Sequence, residues 1–484
     1  MSTVHEAPPR GGEQVPEGPT FKPGKFGRLC PSLPAFRPGR ERLAVLGRAM
    51  RAPAASDPSG DNPRIPAGYT YLLRLIDHDL TLDVTPLGEL AADPLAIEHF
   101  RSPRLDLDAV YGLGPVQQPY LYTRDSDRTK FAIGRTRPAP DTAERPVLGP
   151  LDNDLPRSDG FALIGDPRND DNLILAQLHL ALLKFHNRIV DRLAAGAASP
   201  GTLFAQARRL VTWHYQWIAL HDLLPRLVDP AVLGDVLSRG RRFYRFADHA
   251  FIPVECSAAA FRLVPSMERD EYSYNRIFNP GAVRRDRATL ARLRALTGLT
   301  GAEVPVASHW VIDWRRFVEG LPKIAGIEPH FNLSRKITPL IADALHRADD
   351  GEPSVTERTL LRGASLGLPS GQAVARFMNE AVLAPDRIAT GPDGRVARAQ
   401  GFDEESPLWY YLLKEAQIAG GGERLGPVGS RILAEVWVGV LQADPASFLS
   451  VDPRWHPSVR GAEPGAFTLA DLLTFVDDLN PLGE

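Results

Sequence analysis

The sequence predicts a mainly α fold in one large domain. Beyond Gly68 the apolar residues recur at helical spacing, β-rich runs are short and scattered, and neither a low-complexity linker nor a fixed-period repeat divides the 484 residues. That length exceeds the ~250–300 residues at which single cores usually stop growing, so the domain is expected to be unusually large. Residues 1–25 are rich in Pro, Gly, Glu and Lys and offer little to bury; they read as a flexible N-terminal arm, with the domain covering 26–484.

Within the domain, the stretch Gly68 to Asp79 carries the first helical segment with chemistry on it. The best single helix is predicted from the acidic pair Asp170-Asp171, which suits a positive helix N-terminus, through Leu173, Leu178, Leu182 and Phe185 to about Gly196. Another is predicted from Pro407 to about Ala416, and a third between Gly429 and Leu441. The glycines between Gly420 and Gly429 read as loop punctuation; without a preceding strand or a Gly-Lys-Ser/Thr end, they make no phosphate cradle.

A net charge of -3 with 24% charged residues gives no electrostatic footprint for nucleic acid or for an anionic membrane. No run approaches the roughly 18 apolar residues of a membrane span, and no secretory pattern opens the chain, so a cytoplasmic location is expected. Cys30 and Cys256 are too few for a disulfide framework; Cys256 reads as a buried small hydrophobe.

Three segments hold candidate chemistry. In Asp77-His78-Asp79 the histidine is a candidate acid/base, although a lone histidine between aspartates is more often a capped or surface residue. Ser102-Pro103-Arg104-Leu105-Asp106-Leu107-Asp108 places oxygen donors on alternate residues, a spacing that lets a short loop wrap a hard cation; a solvated acidic turn is the plain alternative. Gly165-Asp166-Pro167-Arg168-Asn169-Asp170-Asp171 carries Arg168, which alone would read as a salt bridge at a helix start.

Together these segments resemble the animal-type haem peroxidases, over about residues 26 to 450. The resemblance implies that fold, with His78 moving a proton between the peroxide oxygens and Arg168 stabilising the charge that develops. It makes Asp77 and Asp171 candidates for ester links to haem, and Arg262 and Arg362 candidates for holding the porphyrin. It implies calcium held by Asp79, Ser102, the Arg104 carbonyl, Asp106 and Asp108, in a structural role.

The same resemblance exposes departures. The family carries its haem-ligating histidine where this chain has Pro265, in Arg262-Leu263-Val264-Pro265. Proline has no ligating atom and no N–H, so a helix there should kink or end. The asparagine that supports the histidine is replaced by Thr359. Four residues before His78 the family usually has Gln, and this chain has Arg74, on the same helix face as His78. Arg74 either keeps His78 neutral by its charge or bonds a carboxylate and closes the cavity.

Met267, Glu268, Tyr272, Tyr274 and His309 are outside candidates for a replacement iron ligand, but they read first as core packing, a solvated face in the case of Glu268, or a satisfied structural histidine. His179, His186, His214 and His221 read as core or surface histidines. Two functions follow. The first is a divergent peroxidase-like protein, free of haem or with altered haem, without ordinary peroxidase turnover, whose vacated cavity takes a small molecule or whose scaffold takes a partner. The alternative is a haem oxidoreductase with unusual axial ligation, acting on hydrogen peroxide and an organic substrate.

Overall fold

In the computed structural model the described residues are 24–483, without 54–56, 90–92, 94–95, 125–126, 140–147, 197–198, 248, 280–286, 323–329, 347–352, 460, 462 and 464. Most of the predicted arm, residues 1–23, lies outside them.

The described residues are mainly helical, and their strands are short. The helices that position the site are α1 (Arg40–Ala49), α2 (Ala67–Leu80), α3 (Leu173–Ala194), α4 (Pro200–Trp217), α5 (Val264–Met267), α6 (Val355–Ser365), α7 (Leu408–Gly420) and α8 (Pro427–Ala443). Strand β1 (Asp61–Pro66) pairs antiparallel with β2 (Leu333–Arg335), closing a link between residues far apart in the chain.

Helix α2 lies at the centre. All of its residues except Arg74 are buried, so it carries no solvent-facing stripe, and it packs against α3, α5 and β2. Asp77 and Asp79 sit near its C-terminus, the end where the helix dipole disfavours anions. Both are compensated locally, Asp77 by the Thr81 hydroxyl at 2.8 Å and Asp79 by backbone N–H groups described below.

Helix α3 begins three residues later than predicted. Asn172 is its N-cap, accepting from the Ile174 N–H, and Pro167–Asp170 form a separate 3-10 turn. The acidic pair serves other partners. Asp170 accepts a two-pronged bond from buried Arg157 at 2.6 and 3.0 Å, and Asp171 is bound by Arg74.

Helix α7 runs four residues past its predicted end, to Gly420, and Gly421 closes it in the left-handed region at φ 61°. Pro427 then opens α8 in its first turn. Glu415 of α7 accepts from the Val428 and Gly429 N–H groups at 3.1 and 3.3 Å, so one buried carboxylate serves the start of the next helix. Burial pushes Glu415 up to about 7 despite those bonds. A Cβ at Gly426 would lie 2.3 Å from the Glu415 side chain, which is why glycine stands there.

The chain around Pro265 departs from a simple kink. A π-helical turn at Cys256–Ala260 packs on α6, α7 and α8 and runs into a hydrogen-bonded turn at residues 261–263. Pro265 then lies in the first turn of α5, a position where a missing N–H leaves no helix bond unmade.

Candidate functional site

His78 is the centre of the site. Its Nδ1 lies 2.8 Å from Asn169 Oδ1, and Asn169 Nδ2 lies 3.1 Å from Nδ1 of His179. A carbonyl oxygen only accepts, so this network assigns the proton to Nδ1 of His78 and leaves a lone pair on its Nε2. Burial, then Arg168, then Arg74 hold the ring well below the usual histidine range, so it is a neutral base.

Arg168 does not extend freely beside that ring. Its Nη2 donates to the carbonyls of His78 and Thr81 at 2.9 and 2.7 Å, and both Nε and Nη2 bond the Asp166 carboxylate. The guanidinium thus closes the C-terminal end of α2. Burial opposes ionisation of Asp166, but Arg168 and the buried Arg101 outweigh it and hold the carboxyl well below the usual range.

Arg74 bonds two carboxylates, Asp171 and, at 3.0 Å, Glu268. Glu268 is therefore not on a solvated face, as the sequence suggested; its side chain is 3% exposed because α5 packs directly on α2. Burial pushes its carboxyl up, and Arg74 opposes that shift.

On the Pro265 side, Arg262 keeps 36% of its side chain exposed; its Nε donates to the Ser257 carbonyl and its guanidinium lies 3.8 Å from Asp77. Thr359 returns its hydroxyl to the Val355 carbonyl of its own helix at 2.8 Å. Arg362 is paired with Asp83. The elements expected to flank a porphyrin, α2 and α5, are joined through Arg74 and Glu268 at 3.0 Å. With Pro265 on the ligand side as well, the residues present do not fit a histidine-ligated haem.

The loop at 102–108 comes together differently. Asp79 accepts from the N–H groups of Leu107 and Ala109 at 3.0 and 3.1 Å and from the Tyr215 hydroxyl at 3.2 Å. Leu107 holds φ 58° to aim its N–H there, a left-handed conformation that costs an L-residue roughly 1–2 kcal/mol. Ser102 donates to Asp106 at 2.9 Å, and the Arg104 side chain faces Asp444 at 3.7 Å. Burial, opposed by the Ala109 N–H, and the nearby Asp108 leave Asp79 raised to about 7; Asp106 is raised by burial, by Asp108 and by Asp79. Among the described residues no three acidic, histidine or cysteine side chains converge on one cation position. Asp108 nevertheless lies close enough to oppose the ionisation of both Asp79 and Asp106, the charge environment that a hard cation relieves.

Comparison with known proteins defines the class. The family model described as animal haem peroxidase matches residues 99–293, a stretch that includes Arg168, Arg262 and Pro265 but not α2. The chain is similar in structure to peroxidase A from Dictyostelium discoideum, with a TM-score of 0.61 at 14% identity over 92% of this chain and 94% of that one. It is similar to the fatty acid alpha-dioxygenase of Arabidopsis thaliana, with a TM-score of 0.60 at 13% identity over 94% and 76% of the two chains. The Oryza sativa fatty acid alpha-dioxygenase gives a TM-score of 0.58 at 12% identity over 98% and 85%. No curated protein sequence matches. The fold is that of the animal haem peroxidases.

The structure brings His78, Arg74, Arg168, Asp77 and Asp171 around the end of α2, with Arg262 and Arg362 nearby. Thr359 stays within its own helix bonding. Sequence reasoning missed Asn169, which sets the His78 tautomer, and Asp166 and Asp83, which bind Arg168 and Arg362; Glu268, read as an outside iron-ligand candidate or a solvated side chain, instead binds Arg74. Asp166 and Asn169 flank Arg168 in sequence, so hydrogen-bonding capacity next to a candidate arginine was the available signal. Among the described residues no helix is long and apolar enough to cross a membrane.

Proposed function

We propose that this chain is a small-molecule-binding protein on the animal haem peroxidase scaffold, without histidine-ligated haem turnover. The observation that carries the reading is the Arg74–Glu268 bond at 3.0 Å, which joins α2 to the helix holding Pro265. Arg262, a cation 3.8 Å from Asp77 with a partly exposed side chain, is the group at this site that would meet an anionic part of such a ligand. The test is absorbance. Protein expressed with ample haem is expected to show no stoichiometric Soret band, and Pro265→His alone is expected not to create one, because Arg74 and Glu268 still join the helices. A strong band in the unmodified protein, with peroxide-dependent oxidation of a dye, would overturn this reading in favour of an oxidoreductase. The neutral His78, its Nε2 lone pair free of Asn169, is the feature favouring that second outcome.

We also propose that the loop takes calcium through Ser102, the Arg104 carbonyl, Asp106 and Asp108, with Asp79 from α2. Support comes from Asp108, which opposes the ionisation of Asp79 and Asp106, and from the strained Leu107 backbone. Chelation of calcium is expected to lower the melting temperature, and adding it back to restore the original value. An unchanged melting temperature would remove the calcium site from the account.

A further inference from the structure

A cavity of about 280 Å³ lined in part by Glu268 lies between the β1–β2 ladder and the C-terminal end of α7. Its walls have opposite character. Glu268, Asp270 and Gln417 present acceptors, Arg335 and Lys336 present cations beside the Asp57 carboxylate, and Leu340 gives an apolar surface. Most of this polarity is already used: Asp270 Oδ1 accepts from the Ala344 N–H at 3.0 Å, and Arg335 bonds Asp61 at 2.7 Å. Two groups are not used. Gln417 Oε1 is buried without a hydrogen-bond partner among the described residues. The Lys336 ammonium makes no hydrogen bond or ion pair among them; its charge reaches the wall carboxylate Asp57 only through space, and its backbone N–H is held by the Gly60 carbonyl. A buried acceptor without a donor costs about 1–3 kcal/mol, so such an atom on a cavity wall points to an occupant that donates.

From this arrangement we infer a binding site for a small zwitterion of the free amino-acid class. Its ammonium would donate to Gln417 Oε1 and the Asp270 carboxylate, its carboxylate would meet Lys336, and its side chain would lie on Leu340. The volume suits a ligand of that size, just below the ~300–1,000 Å³ of drug-sized pockets. Neither a simple anion nor a simple cation satisfies both walls. The inference is independent of whether haem binds, because the cavity shares only Glu268 with the Arg74 network.

The test is a thermal-shift screen of the intact protein against the twenty free amino acids, followed by calorimetry with the best one and its two blocked forms, N-acetylated and C-amidated. At least one amino acid is expected to raise the melting temperature, and each blocked form to bind at least about tenfold more weakly. Lys336→Met and Asp270→Asn are each expected to weaken binding of the unblocked amino acid by about tenfold or more while leaving the fold intact; the amide oxygen of the second variant still accepts from the Ala344 N–H. Far-UV circular dichroism checks that both variants are folded. No shift with any of the twenty overturns the proposal, as does binding that survives blocking or is unaffected by both substitutions.

Discussion

Arg74→Leu is expected to destabilise the protein by about 3–5 kcal/mol, the usual result of removing one partner from a buried ion pair. Arg74 is the only cation bonded to Glu268 among the hydrogen bonds of the described residues, and the Glu268 side chain is 3% exposed. Asp171 loses its partner at the same time. The loss should depend on pH in a definite direction. Glu268 already has a folded-state pKa above its usual value, and without Arg74 that shift grows. The folded variant then holds a proton that the unfolded chain releases above about pH 4.5, so its deficit widens as pH rises and narrows in mild acid. Urea unfolding at about pH 8 and about pH 5.5 measures this; Arg74→Leu/Glu268→Gln should recover part of the loss at the higher pH. Equal destabilisation at both pH values, with no recovery in the double variant, would mean that Glu268 is not buried against α2.

The Arg74–Glu268 pair is not legible in the sequence. Arg74 was legible as a charged residue on the His78 face of a helix, but its partner lies 194 positions away and read as a solvated side chain. The helical class was legible because apolar spacing is local, and the same holds for α2, α3, α7 and α8. Their ends were less so, since they are fixed by tertiary partners: Asp170 is drawn to Arg157, and Asn172 takes the cap. The acidic loop was legible as donors on alternate residues. That its N–H groups would turn toward Asp79 depends on Leu107 adopting a left-handed backbone, which no leucine in a sequence announces. For Pro265 the sequence carried most of the argument, because the absence of a donor atom is a property of the residue type. The structure added that the chain ends one turn and begins another there, so proline sits without conflict.

Acid should unfold this protein well before its carboxylates are all protonated. Four histidines, His99, His179, His186 and His214, are buried and each is lowered to about 4, with burial the first cause in every case. The bonds of His186 and His214 require the neutral ring. His186 is bonded at Nε2 to the Thr129 carbonyl and at Nδ1 to the Tyr111 hydroxyl, so a second proton would displace Tyr111 as donor. His214 gives its Nδ1 proton to the Leu210 carbonyl and receives the Val459 N–H at Nε2. A folded-state pKa below the unfolded value near 6.5 means that the unfolded chain binds protons first as pH falls. The stability these residues contribute is therefore complete above about pH 6.5 and is lost as pH falls toward 4. A displacement of that size is worth about 3 kcal/mol per histidine, so four together rival the ~5–15 kcal/mol that holds a whole protein folded. The expected result is a cooperative loss of circular dichroism and tryptophan burial between about pH 6 and pH 4, with a melting temperature that falls steeply over the same range. His186→Gln should blunt part of the pH dependence, since it removes one of the four groups that take up a proton. A fold that stays intact, with an unchanged melting temperature, down to about pH 4 would mean that these rings are charged or solvated in the native state.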